Sequence, residues 1–368
     1  MDVTPLLRVL FVCRGSIRDG LGHVMRSRTV AREMSRRTSV RMLVVGDEYV
    51  DPLLAGRGLT YQVLTDESGV APYAAAFQPH VVVFDSLRFS PSLIHDLRRR
   101  AMAVSLSPVF TGLADMDLVF HRTVHHGQDW VFEAGAEPQL RCSLNYAVVR
   151  ENCERISEED YRRNLRENPF AVAVSMGGAD AGNHTLQILD AIKEISRPLL
   201  IWVLLGEGYV HSYEALVTRV KKVKRHEIIL AKTSESMWRV LRTCSLAVLA
   251  AGTVTYEAAY AGLPSVNVFS NGEHLYLVRE LVEKKVCISA GYPVYDALDV
   301  VAATIAHFEG ARDELLQMHR NARNLIPGSG ADRIGREIHD YYWRTFRDAH
   351  AARCAARGEA ADVQSRAG

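Results

Sequence analysis

Gly20-Leu21-Gly22-His23, Ser175-Met176-Gly177-Gly178-Ala179-Asp180 and Ala250-Ala251-Gly252-Thr253-Val254-Thr255-Tyr256-Glu257 each follow an apolar run and precede a stretch of helical spacing. Glycine lets a backbone come close to a ligand and adopt positive φ. A helix starting there aims its free N–H groups and the positive end of its dipole at the loop. His23 would then stand at the mouth of the first loop. Imidazole exchanges a proton near neutral pH, which makes His23 a candidate general base; packing at a helix start is the plainer alternative. Arg26, one turn on, suits a phosphate or a salt bridge. In the third loop, amides beside Gly252 and the hydroxyls of Thr253 and Thr255 form a seat for a diphosphate. Glu257, one turn into that helix, suits a ribose diol or the helix dipole. In the middle loop, behind Gly177 and Gly178, Asp180 and Asn183 suit sugar or base hydroxyls, and Asp180 can equally cap the next helix.

Such loops need strands to carry them. In the first half the candidate strands are Leu7–Cys13, Arg41–Val45, Tyr61–Leu64, Val81–Phe84, Met102–Leu106 and Leu118–His121. In the second they are Phe170–Ser175, Leu199–Leu205, Glu227–Leu230, Leu246–Ala250, Ser265–Phe269 and Val286–Ser289. The runs are near-continuously apolar, as in parallel strands covered by helices on both faces. Strands alternating with helical stretches predict an α/β protein of two doubly wound parallel-sheet domains facing across a cleft. The expected divisions are an N-terminal Rossmann-like domain at 1–150, a polar linker at 151–168, a second domain at 169–330, a C-terminal helix at 331–349 and a flexible tail at 350–368.

The chain has 368 residues, 48% apolar and 24% charged, ordinary for a globular protein and unlike a disordered one. A net charge of +1 argues against a generic nucleic-acid binder. The six cysteines form no C-x-x-C pair and fit no zinc site, so free thiols in a cytoplasmic protein are expected, with no metal and no cofactor. The N-terminus does not read as a signal peptide, and no integral membrane segment is expected. There is no P-loop lysine motif and no G-x-S-x-G, and Gly20-x-Gly22 lacks the third glycine of a dinucleotide fingerprint because position 25 is Met.

Gly22-His23-Val24-Met25-Arg26 resembles the first-loop motif of the pseudaminic-acid-pathway UDP-sugar hydrolases and their spore-coat polysaccharide relatives. Val174 to Asp180 with Asn183 resembles that family's second-domain glycine loop. Ala251 to Glu257, followed by Gly262-Leu263-Pro264-Ser265, resembles its nucleotide-diphosphate loop. The stretch from Ala136-Glu137 through Tyr146 to Arg150 is similar to the segment before its domain linker. The resemblance implies a GT-B fold, shared with the glycosyltransferase that makes the lipid-linked peptidoglycan disaccharide. It also implies His23 as the base that activates water, attack at the anomeric carbon with departure of UDP and no metal, Gly252, Thr253 and Thr255 on the diphosphate, and Glu257 on the ribose. Two stretches depart from the family pattern. Asp85-Ser86-Leu87 replaces Asp-x-Tyr, and Asn271-Gly272-Glu273-His274 replaces an Asn-Gln pair. Both fall where the sugar should sit, so Glu273 and His274 join the expected sugar-side contacts.

The expected activity is therefore hydrolysis of a nucleotide-diphosphate sugar. The same residues would also serve a glycosyltransferase passing the sugar to a sugar or lipid acceptor hydroxyl. A non-catalytic nucleotide-sugar-binding protein is the reading from another class, and an NAD enzyme with Asp47 on the ribose is a further one.

Overall fold

The computed structural model describes residues 6–348 apart from 17–19, 48–49, 57, 108, 110, 126–137, 233–236, 273–274 and 293. The first domain runs β1 (Arg8–Gly15), α1 (Gly22–Met34), β2 (Ser39–Gly46), α2 (Asp51–Leu54), β3 (Thr60–Leu64), α3 (Val70–Phe77), β4 (Val81–Asp85), α4 (Pro91–Arg98), β5 (Met102–Ser105), β6 (Leu118–His121) and β7 (Gln139–Cys142). The second runs α5 (Glu158–Arg166), β8 (Phe170–Ser175), α6 (His184–Ile192), β9 (Leu199–Leu205), α7 (Tyr213–Lys222), β10 (Glu227–Lys232), α8 (Met237–Leu241), β11 (Leu246–Ala250), α9 (Thr253–Ala261), β12 (Ser265–Val268), α10 (Tyr276–Glu283), β13 (Cys287–Gly291), α11 (Val294–Gly310) and α12 (Arg312–Ala322). A last helix, α13 (Gly330–Tyr341), continues into a π-helical turn at Tyr342–Phe346.

Both sheets are parallel, seven strands in the order β3-β2-β1-β4-β5-β6-β7 and six in the order β10-β9-β8-β11-β12-β13. Every apolar run read as a strand is one. Val9 to Cys13 are fully buried, and alternate residues feed opposite faces: Val9, Phe11 and Cys13 join one apolar layer, Leu10 and Val12 the other. Burial on both faces is why these strands read as unbroken apolar runs. The additional strand is β7, Gln139-Leu140-Arg141-Cys142, a half-buried sheet edge that needs little apolar surface.

The strand order reverses once in each sheet, between β1 and β4 and between β8 and β11. Crevices outside the carboxyl ends of strands at such switch points are where open α/β sheets take ligands. The segment at 151–168 contains α5, whose Tyr161 and Leu165 sit in the second domain's core. Near its return to the first domain, the chain passes beside its outward crossing: a Cβ on Gly330 would lie 2.1 Å from the carbonyl oxygen of Ala147. Ile334, Ile338 and Phe346 then bury themselves in the first domain's core. The tail at 350–368 lies outside the described residues.

Candidate active site

The first switch point brings α1 against β4. Gly20, at φ +77°, turns the chain after β1, and α1 begins at Gly22. His23, Arg26 and Ser27 recur at helical spacing on one face. Sheet register sets Asp85, the last residue of β4, opposite Cys13 of β1 and beneath that face. Asp85 is fully buried and accepts from His23 Nδ1 at 2.7 Å, Arg26 Nε at 2.9 Å, Ser27 Oγ at 3.0 Å and Ser107 Oγ at 3.3 Å, with a further short contact from Arg26 Nη2.

Burial pushes the Asp85 carboxyl upward, but the charges of Arg26 and His23, with their hydrogen bonds, hold it well below the usual carboxylate range. An ionised carboxylate only accepts, so the proton between Asp85 and His23 resides on Nδ1. Arg26 Nη2, 3.1 Å from that nitrogen, then has no lone pair there to bond. In the neutral ring the lone pair belongs to Nε2, and a buried carboxylate holding Nδ1–H is how an imidazole is oriented for proton abstraction.

The second switch point presents the loops after β8 and β11. Gly177, at φ +86°, and Gly178 turn the first of them. Asp180 accepts from the backbone N–H of His184 at 2.7 Å and of Thr185 at 2.9 Å, so it caps the start of α6. In the other loop, Thr255 Oγ donates to Asn267 Oδ1 at 2.7 Å and accepts from the Gly252 N–H at 3.3 Å. This buried relay shapes the turn into α9.

Two adjoining chambers separate the domains. The larger, about 340 Å³, is lined by Gly20, Leu21, Gly22 and Met25 on one side and by the 175–182 loop, Arg150, His184 and the 250–254 loop on the other. The smaller, about 230 Å³, holds His23, Arg26, Leu87, Ser107 and Arg122 opposite Ala251, Gly252, Thr253, Ser270 and Tyr276. Gly22, Ala251, Gly252, Thr253 and Ser270 belong to both walls and form the neck between them. Across that neck a Cβ on Gly22 would stand 3.7 Å from Thr253 Oγ1. The imidazole and the N-terminus of α9 thus share one chamber.

Of the residues expected from the sequence, Gly22, His23, Arg26, Gly252 and Thr253 meet at this neck and in the smaller chamber, and Gly177, Gly178 and Asp180 line the larger one. Three face elsewhere. Thr255 is buried in its relay, and Asn183 Oδ1 accepts from Tyr209 OH at 3.2 Å. Glu257 is 1% exposed and accepts from Arg150 Nε at 2.8 Å and Trp238 Nε1 at 3.2 Å; Arg150, and not Glu257, reaches the chamber wall. A carboxylate this deep needs fixed partners, and Arg150 and Trp238 supply them to the residue expected on the ribose. Glu273 and His274 lie outside the described residues. The sequence reading named Asp85 and Arg150 only within the resembling stretches, with no role of their own, and passed over Ser107 and Arg122. A signal existed for two: Asp85 is the charged end of the apolar strand β4, and Arg122 directly follows β6.

No family model matches the chain. An uncharacterised protein of Methanocaldococcus jannaschii is 20% identical over 274 residues, 72% of this chain and 56% of that protein, so the chain spans little more than half the length of that relative. Among solved structures, MurG of Acinetobacter baumannii superposes with a TM-score of 0.65 at 15% identity, covering 91% of this chain and 99% of that one. The MnaA–UDP structure from S. aureus gives 0.63 at 11% identity over 92% and 97%. UDP-GlcNAc 2-epimerase of Neisseria meningitidis, bound to UDP-GlcNAc, gives 0.59 at 9% identity over 91% and 100%. At these identities the likeness is one of fold: two facing α/β domains of the GT-B type. No helix among the described residues is long and apolar enough to cross a membrane.

Proposed function

We propose that the protein is a hydrolase of nucleoside-diphosphate sugars that breaks the bond between the anomeric carbon and the diphosphate. The observation that carries this reading is the His23–Asp85 pair, whose imidazole shares a chamber with the amide-rich start of α9. Two structural neighbours are described as complexes with UDP or UDP-GlcNAc, which makes UDP the first nucleotide to try.

In this reading the nucleoside occupies the larger chamber, the diphosphate the neck and the sugar the smaller chamber. His23 Nε2 takes a proton from water as the water oxygen bonds to the anomeric carbon. The carbon–oxygen bond to the outer phosphate breaks and its electron pair leaves with UDP. The imidazolium, stabilised by Asp85, then returns its proton to solvent. Amides at the start of α9 answer the charge developing on the phosphate, and positioned base catalysis supplies roughly 10²–10⁴-fold.

Incubation with a panel of UDP-sugars and no acceptor tests it. Equal amounts of UDP and free sugar are expected, with a loss of at least about a hundredfold in His23→Ala. Failure of every nucleotide sugar to yield free nucleotide, with or without acceptor alcohols, counts against any reaction at this carbon.

One observation favours transfer to an alcohol instead of water. Leu87 lines the chamber beside His23, giving an apolar wall where the resembled hydrolases carry a tyrosine hydroxyl. UDP release that requires an added sugar or lipid alcohol would select this second reading.

A further inference from the structure

Arg122 directly follows β6, at the carboxyl edge of the first sheet, and lines the His23 chamber. Its guanidinium carbon stands 4.8 Å from the ring centroid of Tyr256, which lies one turn into α9 of the opposite domain. Its Nε is closed off from solvent with no hydrogen-bond partner among the described residues, and no ion pair holds the group among them. The chamber's other guanidinium, Arg26, is already matched by Asp85. Arg122 therefore brings to the described wall a positive charge that no carboxylate among the described residues pairs directly. Burial, and then the nearness of Arg26, disfavour that charge and outweigh the support from Tyr256 and Asp85, and an anion entering the chamber would relieve both.

We infer that Arg122 receives the outer phosphate of the bound nucleoside diphosphate, reaching it from the domain that also carries the base. The inference rests on the proposed nucleotide-sugar reading and adds a contact to it. Position selects the phosphate over an acid group on the sugar. The anomeric carbon must lie near His23, so the phosphate attached to it points toward Thr253, and Arg122 stacks on the same helix one turn from that residue. The guanidinium then stabilises the oxygen that takes up the electron pair when the carbon–oxygen bond breaks. It also makes the ligand a bridge between the domains.

Calorimetric titration of UDP and UMP into wild type, Arg122→Met and Arg122→Lys tests this. Arg122→Met is expected to bind UDP at least about tenfold more weakly, the loss of a charged hydrogen-bond donor. Its affinity for UMP should be unchanged, which also reports an intact fold, and Arg122→Lys should recover part of the loss. Equal UDP affinity in Arg122→Met and wild type overturns the inference. So does an equal loss for UDP and UMP, or a loss confined to a UDP-sugar bearing a carboxylate on the sugar. A wild type that binds UMP and UDP equally well overturns it too. A wild type that binds no nucleoside diphosphate in a wider panel removes the proposed function and this inference together. Unchanged UDP binding by Arg122→Met, beside tight binding by wild type, removes the inference alone.

Discussion

Nδ1 of His23 lies 2.7 Å from Oδ1 of Asp85, across the gap between the first turn of one helix and the end of one strand. The contact ties the imidazole tautomer to the charge of a buried carboxylate. Asp85→Asn removes that charge and leaves Arg26 buried without its partner. Breaking a buried pair from one side costs about 3–5 kcal/mol, so urea unfolding should show a large fall in stability. Any nucleotide-sugar cleavage should fall with it.

The pH dependence of that difference has a definite sign. The Asp85 carboxyl is held below its unfolded value, about 3.9. Its contribution is therefore full above the unfolded value and is lost as pH falls through the folded one. The stability gap between wild type and Asp85→Asn should be present at neutral pH and narrow below about 4. A gap that keeps its full size well below the unfolded value contradicts the assignment.

Arg150 and Glu257 form a second buried pair, with side chains 13% and 2% exposed. Arg150→Met alone should cost about 3–5 kcal/mol by stranding the carboxylate. The double variant Arg150→Met, Glu257→Leu should recover much of it. Thermal or urea unfolding of the three proteins decides, and strictly additive losses would mean that the two groups do not act as a pair.

Thr255→Val keeps the side-chain shape but strands Asn267 Oδ1 and the Gly252 N–H. The expected loss is about 1–3 kcal/mol of stability. UDP affinity should also fall, although Thr255 does not line the chambers. Thr255→Ser, which keeps the hydroxyl, should restore both. Full UDP affinity in a destabilised Thr255→Val would separate the relay from the shape of the loop.

Gly178 meets Leu21 across the cleft, where an added Cβ would sit 2.6 Å from Leu21 Cδ1. Gly178→Ala should hold the domains further apart and weaken nucleotide binding. Adding Leu21→Ala should restore closure, because the obstruction is a side chain. Small-angle scattering with and without UDP reads the closure directly.

Most of the architecture was legible before any coordinates. Parallel strands covered on both faces must be apolar along their length, so Val9–Cys13, Val81–Phe84 and Leu246–Ala250 announced themselves. Glycines and hydroxyls at strand-to-helix turns marked the loops. The edge strand at Gln139–Cys142 was not legible, because an edge packs on one side and tolerates arginine. The inward direction of Thr255 and Glu257 was not legible either. Helical spacing places a side chain on a helix, but the neighbours that claim it, Asn267 from β12 and Arg150 from the domain crossing, come from elsewhere in the chain.

Local order alone thus settled which apolar runs are strands, which turns carry glycine and where an imidazole begins a helix, since these follow from periodicity and backbone sterics within a few residues. The partners of that imidazole are another matter. Asp85 lies 62 positions away and Arg122 lies 99, and they come into its chamber through strand order in a twisted sheet. Packing then sets which guanidinium a carboxylate pairs directly, Arg26 by Asp85, and which has no such pair among the described residues, Arg122. Desolvation and pairing depend on the whole surrounding packing, and no stretch of sequence contains that by itself.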